Sequence, residues 1–218
     1  MLEKYKTILW DFDGVIIDSN IIRTKGFIEI FKDFPNNYIT QLVKYHEEMG
    51  GLSRYHKIEY FFNKIVKKKI KQDEIFFYAE KYKLFMLNNL VNKRFIINET
   101  LDYIKQNRDI FSMHIVSASD ENELKQICKK LELDSFFCSI HGSPTTKKEN
   151  IMSLLKLNNL IKEEVVLIGD SINDYEAAVN NKIDFIGYNN IELKKKKIKY
   201  IPTFKNLNKM KPSNAEDV

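Results

Sequence analysis

The stretch of sequence that decides the fold is TILWDFDGV, at residues 7–15. Its first half, Thr7 to Trp10, is a short apolar run that ends at a turn signal, a pattern typical of a buried strand in a parallel sheet. Its second half places two carboxylates, Asp11 and Asp13, directly where that strand ends. The stretch therefore predicts a strand that carries acidic side chains at its carboxyl end.

Downstream of this strand, from about Asn98, helical and strand-like patterns alternate along the chain. The expected helices are Glu99–Gln106, Glu121–Leu131, Lys148–Leu157 and Asp174–Asn181, and the strands that follow them are Met113–Val116, Ser139–His141, Val165–Ile168 and Phe185–Gly187. Strands separated by helices favour a parallel sheet with crossover connections. We therefore expect an α/β core, a Rossmann-like parallel sheet with helices on both faces.

Between these two parts lies a block in which apolar residues recur at helical spacing. The clearest stripe comprises Ile58, Phe61, Phe62, Ile65 and Val66. Strand-like alternation of comparable strength does not occur in the block, so an amphipathic helical module is expected. We predict an α-helical cap domain at residues 19–94, inserted into an α/β core domain that comprises residues 1–18 and 95–218.

The composition excludes several classes of protein. Of 218 residues only 7 are Gly and 4 are Pro, which excludes collagen-like and linker-rich chains. The net charge of +5 arises largely from two lysine runs, at residues 67–71 and 194–199. Such runs are typical of solvated helix faces or tails, and they lack the interleaved aromatic residues that stack on bases. A nucleic-acid partner is therefore not expected.

The cysteines and the apolar stretches of the sequence indicate the cellular compartment in which the protein is expected. The two cysteines, Cys128 and Cys138, form neither a disulfide framework nor a CxxC pair, which fits a reducing compartment. The apolar run before Asp11 is too short for the core of a signal peptide, and an apolar stretch of membrane-spanning length is not found. We expect a cytoplasmic protein without a membrane span, acting as a monomer or weak homodimer.

Polar residues follow each of four expected strands. They read DFDG at residues 11–14, SASD at 117–120, GSPTTK at 142–147 and GDSIND at 169–174. Ligands of open parallel sheets bind beyond the carboxyl ends of the strands, so these four loops are expected to meet at one cavity.

The chemistry of these side chains suits a phosphoryl group. Asp11, Asp13 and Asp170 would repel one another without a cation, and they offer the hard oxygen ligands that Mg²⁺ prefers. Ser117 and Lys147 would hold the remaining oxygens of a phosphoryl group. Phosphoryl transfer depends mainly on positioning and charge neutralisation, which this set of residues can supply.

In their order and spacing, the four motifs resemble those of the haloacid dehalogenase (HAD) superfamily. The resemblance covers residues 1 to about 190, and the helical block lies where subfamily I members, such as β-phosphoglucomutase and phosphoglycolate phosphatase, carry a helical cap. It implies that Asp11 is the nucleophile and forms an aspartyl-phosphate. It implies that Asp13 is the general acid for the leaving group and then the general base for water.

The resemblance also implies a metal site and a phosphoryl site. Mg²⁺ would be held by Asp11, Asp170 and the backbone carbonyl of Asp13, with Asp174 in support. The transferring phosphoryl group would be bound by Ser117 and Lys147. A one-residue slip in that loop is easy, so Lys148 is an alternative to Lys147.

Residues 49–54, MGGLSR, contain the one double glycine of the chain and lie between two predicted cap helices. They resemble the cap loop of β-phosphoglucomutase-like members, in which a Gly-x-Ser-Arg sequence reaches the substrate. An ordinary helix–helix turn with Ser53 as the next N-cap explains the same residues equally well. The candidate substrate contacts are Gly51, Ser53, Arg54, Lys57, Arg23 and Ser119.

Departures from the family pattern narrow the expected reaction. Arg23 stands where mutase-like members have a histidine, and Ser53 or Arg54 stands where carbon–phosphorus hydrolases have a Schiff-base lysine. Asp13 is present, whereas haloacid dehalogenases proper lack this second aspartate. We expect a Mg²⁺-dependent phosphatase that hydrolyses a phosphate monoester of a small metabolite, such as a sugar phosphate. The alternatives are a phosphosugar mutase and a non-catalytic HAD-like binding module.

Overall fold

The computed structural model describes residues 1–205 and Leu207. The strands in these residues are β1 (Thr7–Trp10), β2 (Ser112–Asp120), β3 (Ser139–Ser143), β4 (Val165–Gly169), β5 (Asp184–Tyr188) and β6 (Tyr200–Ile201). They form one sheet in the order β3-β2-β1-β4-β5-β6, and all neighbouring pairs are parallel. β1 lies inside the sheet with all four residues buried, as its apolar sequence predicts.

The helices fall into two groups along the chain. The first group lies between β1 and β2 and comprises α1 (Asn20–Ile30), α2 (Asn36–Glu48), α3 (Arg54–Tyr60), α4 (Gln72–Leu90) and α5 (Asn98–Asn107). The second comprises α6 (Glu121–Lys130), α7 (Lys147–Leu157), α8 (Ile172–Asn181) and α9 (Ile191–Lys195). α3 continues as a π-helical turn over Phe61–Val66.

Both faces of the sheet are covered by helices. Side chains alternate between the faces along a strand, so Ile8 and Trp10 join a buried cluster that includes residues of α5 and α6. Leu9 joins a second cluster that includes residues of α7 and α8. The expected Rossmann-like parallel sheet with helices on both faces is confirmed.

The helices α1 to α4 pack around an aromatic core. The rings of Phe31 and Phe61 stack with centroids 4.0 Å apart, and those of Phe27 and Tyr82 lie 4.5 Å apart. This helical segment lies where the cap was expected at residues 19–94. The division into a cap and a core domain stays a prediction, and the end of the predicted core domain, beyond Leu207, lies outside the described residues.

Several boundaries differ from those expected. β2 runs on to Asp120, so Ser117 and Ser119 belong to the end of a strand rather than to a loop. α7 begins at Lys147 and α8 at Ile172, because Thr146 and Ser171 form capping boxes with Glu149 and Asp174. The short strand β6, which lies beside a lysine run, was not expected.

Surface features bear on the expected partners. The lysines at residues 67–69 and 71, and at 194–197 and 199, are all exposed. In the part of the chain that the structure describes, no helix has the length and apolarity needed to cross a bilayer.

Candidate active site

Three carboxylates meet at the carboxyl ends of β1 and β4. Asp11 follows β1 directly, Asp170 follows β4, and Asp174 lies in the first turn of α8. One carboxylate oxygen of each lies within 4.8 Å of those of the other two. Asp11 and Asp174 are buried and Asp170 is half-buried. The sheet topology thus brings together acidic residues that are far apart in the sequence.

Gly14 permits this close approach. Its φ of +75° lies in the left-handed region, which favours glycine. A Cβ at this position would lie 2.0 Å from a carboxylate oxygen of Asp170. A larger residue would push the loop after β1 away from the loop after β4, so glycine is required here.

The carboxylate cluster carries excess negative charge. Burial raises the pKa of Asp11 well above its ordinary value, the nearby Asp174 raises it further, and Lys147 opposes both. Burial and Asp174 likewise raise the pKa of Asp170 to about 7. A divalent cation would relieve this repulsion, and the cluster supplies the hard oxygen donors that Mg²⁺ requires. The residues therefore fit a magnesium site.

Lys147 lies against this cluster. Its Nζ is 2.8 Å from Oδ1 of Asp11 and also contacts Oδ1 of Asp174. Burial alone would lower the pKa of Lys147, but Asp11 and Asp174 raise it well above its ordinary value, so the side chain stays an ammonium. Lys148 is exposed. Of the two lysines, the structure thus places Lys147 beside the predicted nucleophile.

Asp174 links the lysine to the loop after β4. Its Oδ2 accepts hydrogen bonds from the backbone N–H of Ser171 at 3.0 Å and from the Ser171 hydroxyl at 2.8 Å. Asp174 therefore forms a capping box with Ser171 at the start of α8 and also contacts Lys147. Asp174 fixes Lys147 and completes the acidic cluster.

Asp13 is held separately from the other carboxylates. Its side chain accepts hydrogen bonds from Nε of Arg23 at 2.9 Å, from the Ser119 hydroxyl at 2.6 Å and from the Ser19 hydroxyl. Burial raises the pKa of Asp13, but Arg23 and these hydroxyls outweigh it and hold the pKa below its ordinary value. Asp13 thus has hydrogen-bond partners of its own and is not part of the acidic cluster.

A cavity of about 520 Å³ lies between the helical segment and the sheet. The predicted site residues that line it are Asp11, Asp13, Asp170, Ser117, Ser119, Arg23, Gly51, Arg54 and Lys57. Asp174 and Lys147 are not among the lining residues, and both lie next to Asp11. Ser53 lies outside the lining residues, and its hydroxyl accepts a hydrogen bond from the backbone N–H of His56 at 3.3 Å. Its placement favours the N-cap interpretation.

Ser117 is buried at the end of β2 and lines the cavity. Its Oγ accepts a hydrogen bond from the backbone N–H of Ser119 at 3.1 Å. Helix capping beyond this strand is carried out by Asp120, which accepts the backbone N–H of Glu123 at 3.0 Å. The Ser117 hydroxyl proton is therefore left available to a phosphoryl oxygen.

The double glycine closes the cavity on one side. Asn173 donates a hydrogen bond from its side-chain amide to the Gly50 carbonyl. Gly51 has φ +82°, and a Cβ there would lie 2.8 Å from the Ser171 hydroxyl. The loop that was predicted to reach the substrate thus packs against the segment that follows β4, rather than against Asp11 itself.

Two arginines and one glutamate form a buried ionic cluster at another side of the cavity. Glu123, in the first turn of α6, is fully buried, and its Oε1 accepts Nη1 of Arg23 at 2.5 Å. Its Oε2 contacts Nη2 of Arg54, whose guanidinium lies 4.7 Å from the ring of Tyr82. Glu123 was not predicted from the sequence, because a glutamate three residues after Asp120 has the ordinary pattern of a helix start.

Lys57 is the remaining cap cation of the predicted set. It is buried, and its Nζ lies 2.8 Å from Nδ1 of His46. Burial lowers the pKa of Lys57 to about 7 and that of His46 to about 3. A neutral imidazole therefore accepts the hydrogen bond from this lysine. His46 also lines the cavity.

Comparisons with known sequences agree with these motifs. The model of the family described as haloacid dehalogenase-like hydrolase matches residues 8–188. The pyrophosphatase PpaX of Listeria monocytogenes is 26% identical over 189 residues, which cover 83% of this chain and 81% of PpaX.

Solved structures share the fold. β-Phosphoglucomutase of Clostridium difficile matches with a TM-score of 0.74 and 16% identity, covering 94% of this chain and 93% of that one. The HAD-hydrolase YfnB of Bacillus subtilis, solved with bound magnesium, matches with a TM-score of 0.62 and 20% identity, covering 85% and 89%. At these identities the likeness shows the fold alone.

Proposed function

The chain belongs to the haloacid dehalogenase-like hydrolase family, and we propose that it is a Mg²⁺-dependent phosphatase. Its substrate would be a phosphate monoester of a small metabolite, such as a sugar phosphate, hydrolysed through an aspartyl-phosphate. One observation carries the proposal: Asp11 belongs to the acidic cluster and contacts the Lys147 ammonium, while Asp13 lies outside the cluster and pairs with Arg23. A nucleophile and a separate acid–base group are what two-step phosphoryl transfer needs.

Asp11, Asp170 and Asp174 would hold the Mg²⁺ ion, together with the backbone carbonyl of Asp13. When bound, the ion would supply charge neutralisation for the anionic phosphoryl group. Lys147 favours the ionised form of Asp11, because its ammonium opposes the effect of burial on the pKa of that carboxyl. The Ser117 hydroxyl, which lines the cavity from the neighbouring strand, would donate a hydrogen bond to a phosphoryl oxygen.

The side chains then divide the work over two steps. In the first, an oxygen of Asp11 attacks phosphorus and the bond to the leaving oxygen breaks. Asp13 gives that oxygen a proton, which it must take up beforehand because its pKa is held low. In the second, water attacks the same phosphorus, Asp13 takes a proton from this water, and the bond between Asp11 and phosphorus breaks. Arg23, Ser19 and Ser119 orient Asp13 through both steps.

The comparisons support the proposal in part. PpaX is named a pyrophosphatase, and YfnB was solved with magnesium, so a phosphate compound and this cation fit the family. β-Phosphoglucomutase shares the fold, which keeps the phosphosugar mutase as an outcome of the test rather than a second proposal. We also propose a cytoplasmic location, which two free cysteines support.

Phosphate release from a panel of phosphorylated metabolites, with and without Mg²⁺, tests the proposal. We expect Mg²⁺-dependent release in the native chain and a loss of at least about 10³-fold in Asp11→Asn. Asp18→Asn is the matched control, since Asp18 is an exposed carboxylate in the same segment. Its activity should stay within about twofold of the native value.

Three outcomes would contradict the proposal. Activity retained in Asp11→Asn would exclude the covalent step. Interconversion of sugar-phosphate isomers without net phosphate release would identify a mutase. Absence of turnover, together with failure to trap beryllium fluoride and Mg²⁺, would identify a non-catalytic binding module.

A further inference from the structure

The buried ionic cluster lies where α1 and α3 meet α6. Glu123 comes from α6, and the two guanidinium groups that flank it come from Arg23 of α1 and Arg54 of α3. The arginines line the cavity, whereas Glu123 lies outside the lining residues and behind them. Any effect of Glu123 on a bound molecule therefore passes through these two arginines.

Both guanidinium groups are already engaged by partners in the protein. Arg23 donates Nε to Asp13 and Nη1 to Glu123. Arg54 donates Nη2 to Glu123 and Nη1 to the Ala79 carbonyl at 3.4 Å. A planar guanidinium binds a phosphate best with two parallel N–H groups. Glu123 takes one N–H from each arginine, which leaves neither with its full fork for a phosphate, although Nη2 of Arg23 has no hydrogen-bond partner among the described residues.

Glu123 cannot readily release these arginines. Its side chain has no solvent exposure, and its backbone N–H is fixed by the Asp120 carboxylate. If Arg54 turned to a second phosphate of a substrate, Glu123 would lose a partner while buried. Breaking one side of a buried ion pair is strongly unfavourable, because the remaining charge is left uncompensated.

The charges around the cavity, away from the acidic cluster, nearly cancel. Among the described lining residues and Glu123, the buried cations are Arg23, Arg54 and Lys57, and they face the carboxylates of Asp13 and Glu123. Lys57 would be the one cation in excess, but burial lowers its pKa to about 7 beside His46, so it carries only a partial charge at neutral pH. The remaining charged residues of the wall, Glu47, Glu48, Glu192 and Lys196, are exposed. The balance suits a leaving group with little or no charge.

We propose that Glu123 is a specificity-determining residue that occupies both cap arginines and thereby disfavours substrates with a second phosphate. The preferred substrate class is a monophosphate whose leaving group is neutral and hydroxylated, rather than a bisphosphate or pyrophosphate. The inference rests on the proposed function for the site at Asp11, and it goes beyond it by naming the residue that selects the leaving group.

Binding measurements test this inference without turnover. In Asp11→Asn with Mg²⁺, titration calorimetry compares glucose 6-phosphate with glucose 1,6-bisphosphate, which differ by one phosphate. We expect the monophosphate to bind at least as tightly as the bisphosphate. Adding Glu123→Gln frees both arginines at nearly constant volume, and it should shift the ratio of the two dissociation constants about tenfold or more toward the bisphosphate.

Tyr55→Phe is the matched control. It removes the hydrogen bond from the Tyr55 hydroxyl to Asp120, 2.6 Å long, across the same contact between helices and leaves every cavity charge in place. We expect its ratio of dissociation constants to equal that of the parent. A purely structural role for Glu123 would weaken binding of both compounds alike and would leave the ratio unchanged.

Two results would overturn the inference. One is tighter binding of the bisphosphate than of the monophosphate to the Asp11→Asn protein. This result would overturn the inference even if Glu123→Gln fails to fold. The other is an unchanged ratio in a folded Glu123→Gln protein. Failure of the proposed function is seen separately, as absence of Mg²⁺-dependent phosphate release in the native chain, and these binding ratios remain measurable in that case.

Discussion

The two charged regions of the cavity differ in how their charge is compensated. The acidic cluster of Asp11, Asp170 and Asp174 has Lys147 as its cation, and the raised pKa values of Asp11 and Asp170 show excess negative charge. At another side of the cavity, Glu123 meets two arginines. The first region keeps negative charge that a bound cation would neutralise under the proposed function, whereas in the second the protein itself supplies both signs of charge. The chemistry is therefore expected at the first, and selectivity at the second.

The largest expected effect concerns the acidic cluster. Lys147→Met removes the ammonium that contacts Asp11 and Asp174, so the two carboxylates repel each other more strongly. We expect kcat for phosphate release to fall about 10²- to 10³-fold, as on loss of one group that stabilises transition-state charge. Lys148→Met changes an exposed lysine in the same turn and should stay within about twofold. Equal losses in both variants would contradict the assignment of Lys147.

The next effect concerns the compensated region, which comprises Glu123, Arg23 and Arg54. Glu123→Ala leaves two buried guanidinium groups without their shared carboxylate, so we expect the free energy of unfolding to fall by about 3 kcal/mol or more in urea titrations. Glu132→Ala is the control, because Glu132 pairs with Lys93 at 2.5 Å but at the surface. Exposed pairs contribute about 1 kcal/mol or less. A Glu123→Ala variant as stable as Glu132→Ala would show that the ionic cluster is not compensated as described.

Mg²⁺ should stabilise the protein through the acidic cluster in a pH-dependent way. Because the pKa of Asp170 is raised to about 7, its contribution to stability without metal is lost as the pH rises from the ordinary carboxyl range through about 7. The increase in Tm on adding Mg²⁺ should therefore be larger at high than at low pH. At a Mg²⁺ concentration about 100 times its Kd, binding should raise the free energy of unfolding by about 2.7 kcal/mol.

Asp170→Asn provides the comparison for this measurement. It removes one of the repelling charges, so the metal-free Tm should rise and the response to Mg²⁺ should shrink. A full Mg²⁺ response in Asp170→Asn, measured by differential scanning fluorimetry, would place the cation elsewhere.

The smallest effect concerns Ser53, which the structure places outside both regions. Ser53→Ala should lower the free energy of unfolding by about 1 kcal/mol through loss of the N-cap of α3. Neither kcat nor KM should change by more than about twofold. A selective rise in KM would restore Ser53 as a substrate contact.

Local patterns predicted much of the fold and of the acidic cluster. β1 and its two aspartates are contiguous, so one stretch of sequence fixes the strand and delivers its carboxylates. The position of Lys147 at the start of α7 could also be predicted from the sequence. Thr146, followed three residues later by Glu149, is a capping-box signature that marks this helix start.

The compensated region could not be predicted in the same way. Glu123 meets Arg23 across 100 residues and Arg54 across 69, and no local pattern pairs them. Each residue by itself has an ordinary helical context. The pairing depends on how α1 and α3 pack against α6, which periodicity does not specify. β6 was missed for a related reason, because its two residues stand beside lysines and form no alternating pattern.

The most direct test of the central claim is detection of a phosphoryl group on Asp11. The native chain is mixed with Mg²⁺ and a monophosphate that it hydrolyses, and the reaction is quenched in acid within the first turnover. The protein is then digested, and its peptides are mapped by mass spectrometry. We predict one phosphoryl group on the peptide that contains Asp11, and none in Asp11→Asn. Full-rate turnover without this adduct, or an adduct on Asp13 instead, would contradict the assignment of Asp11 as the nucleophile.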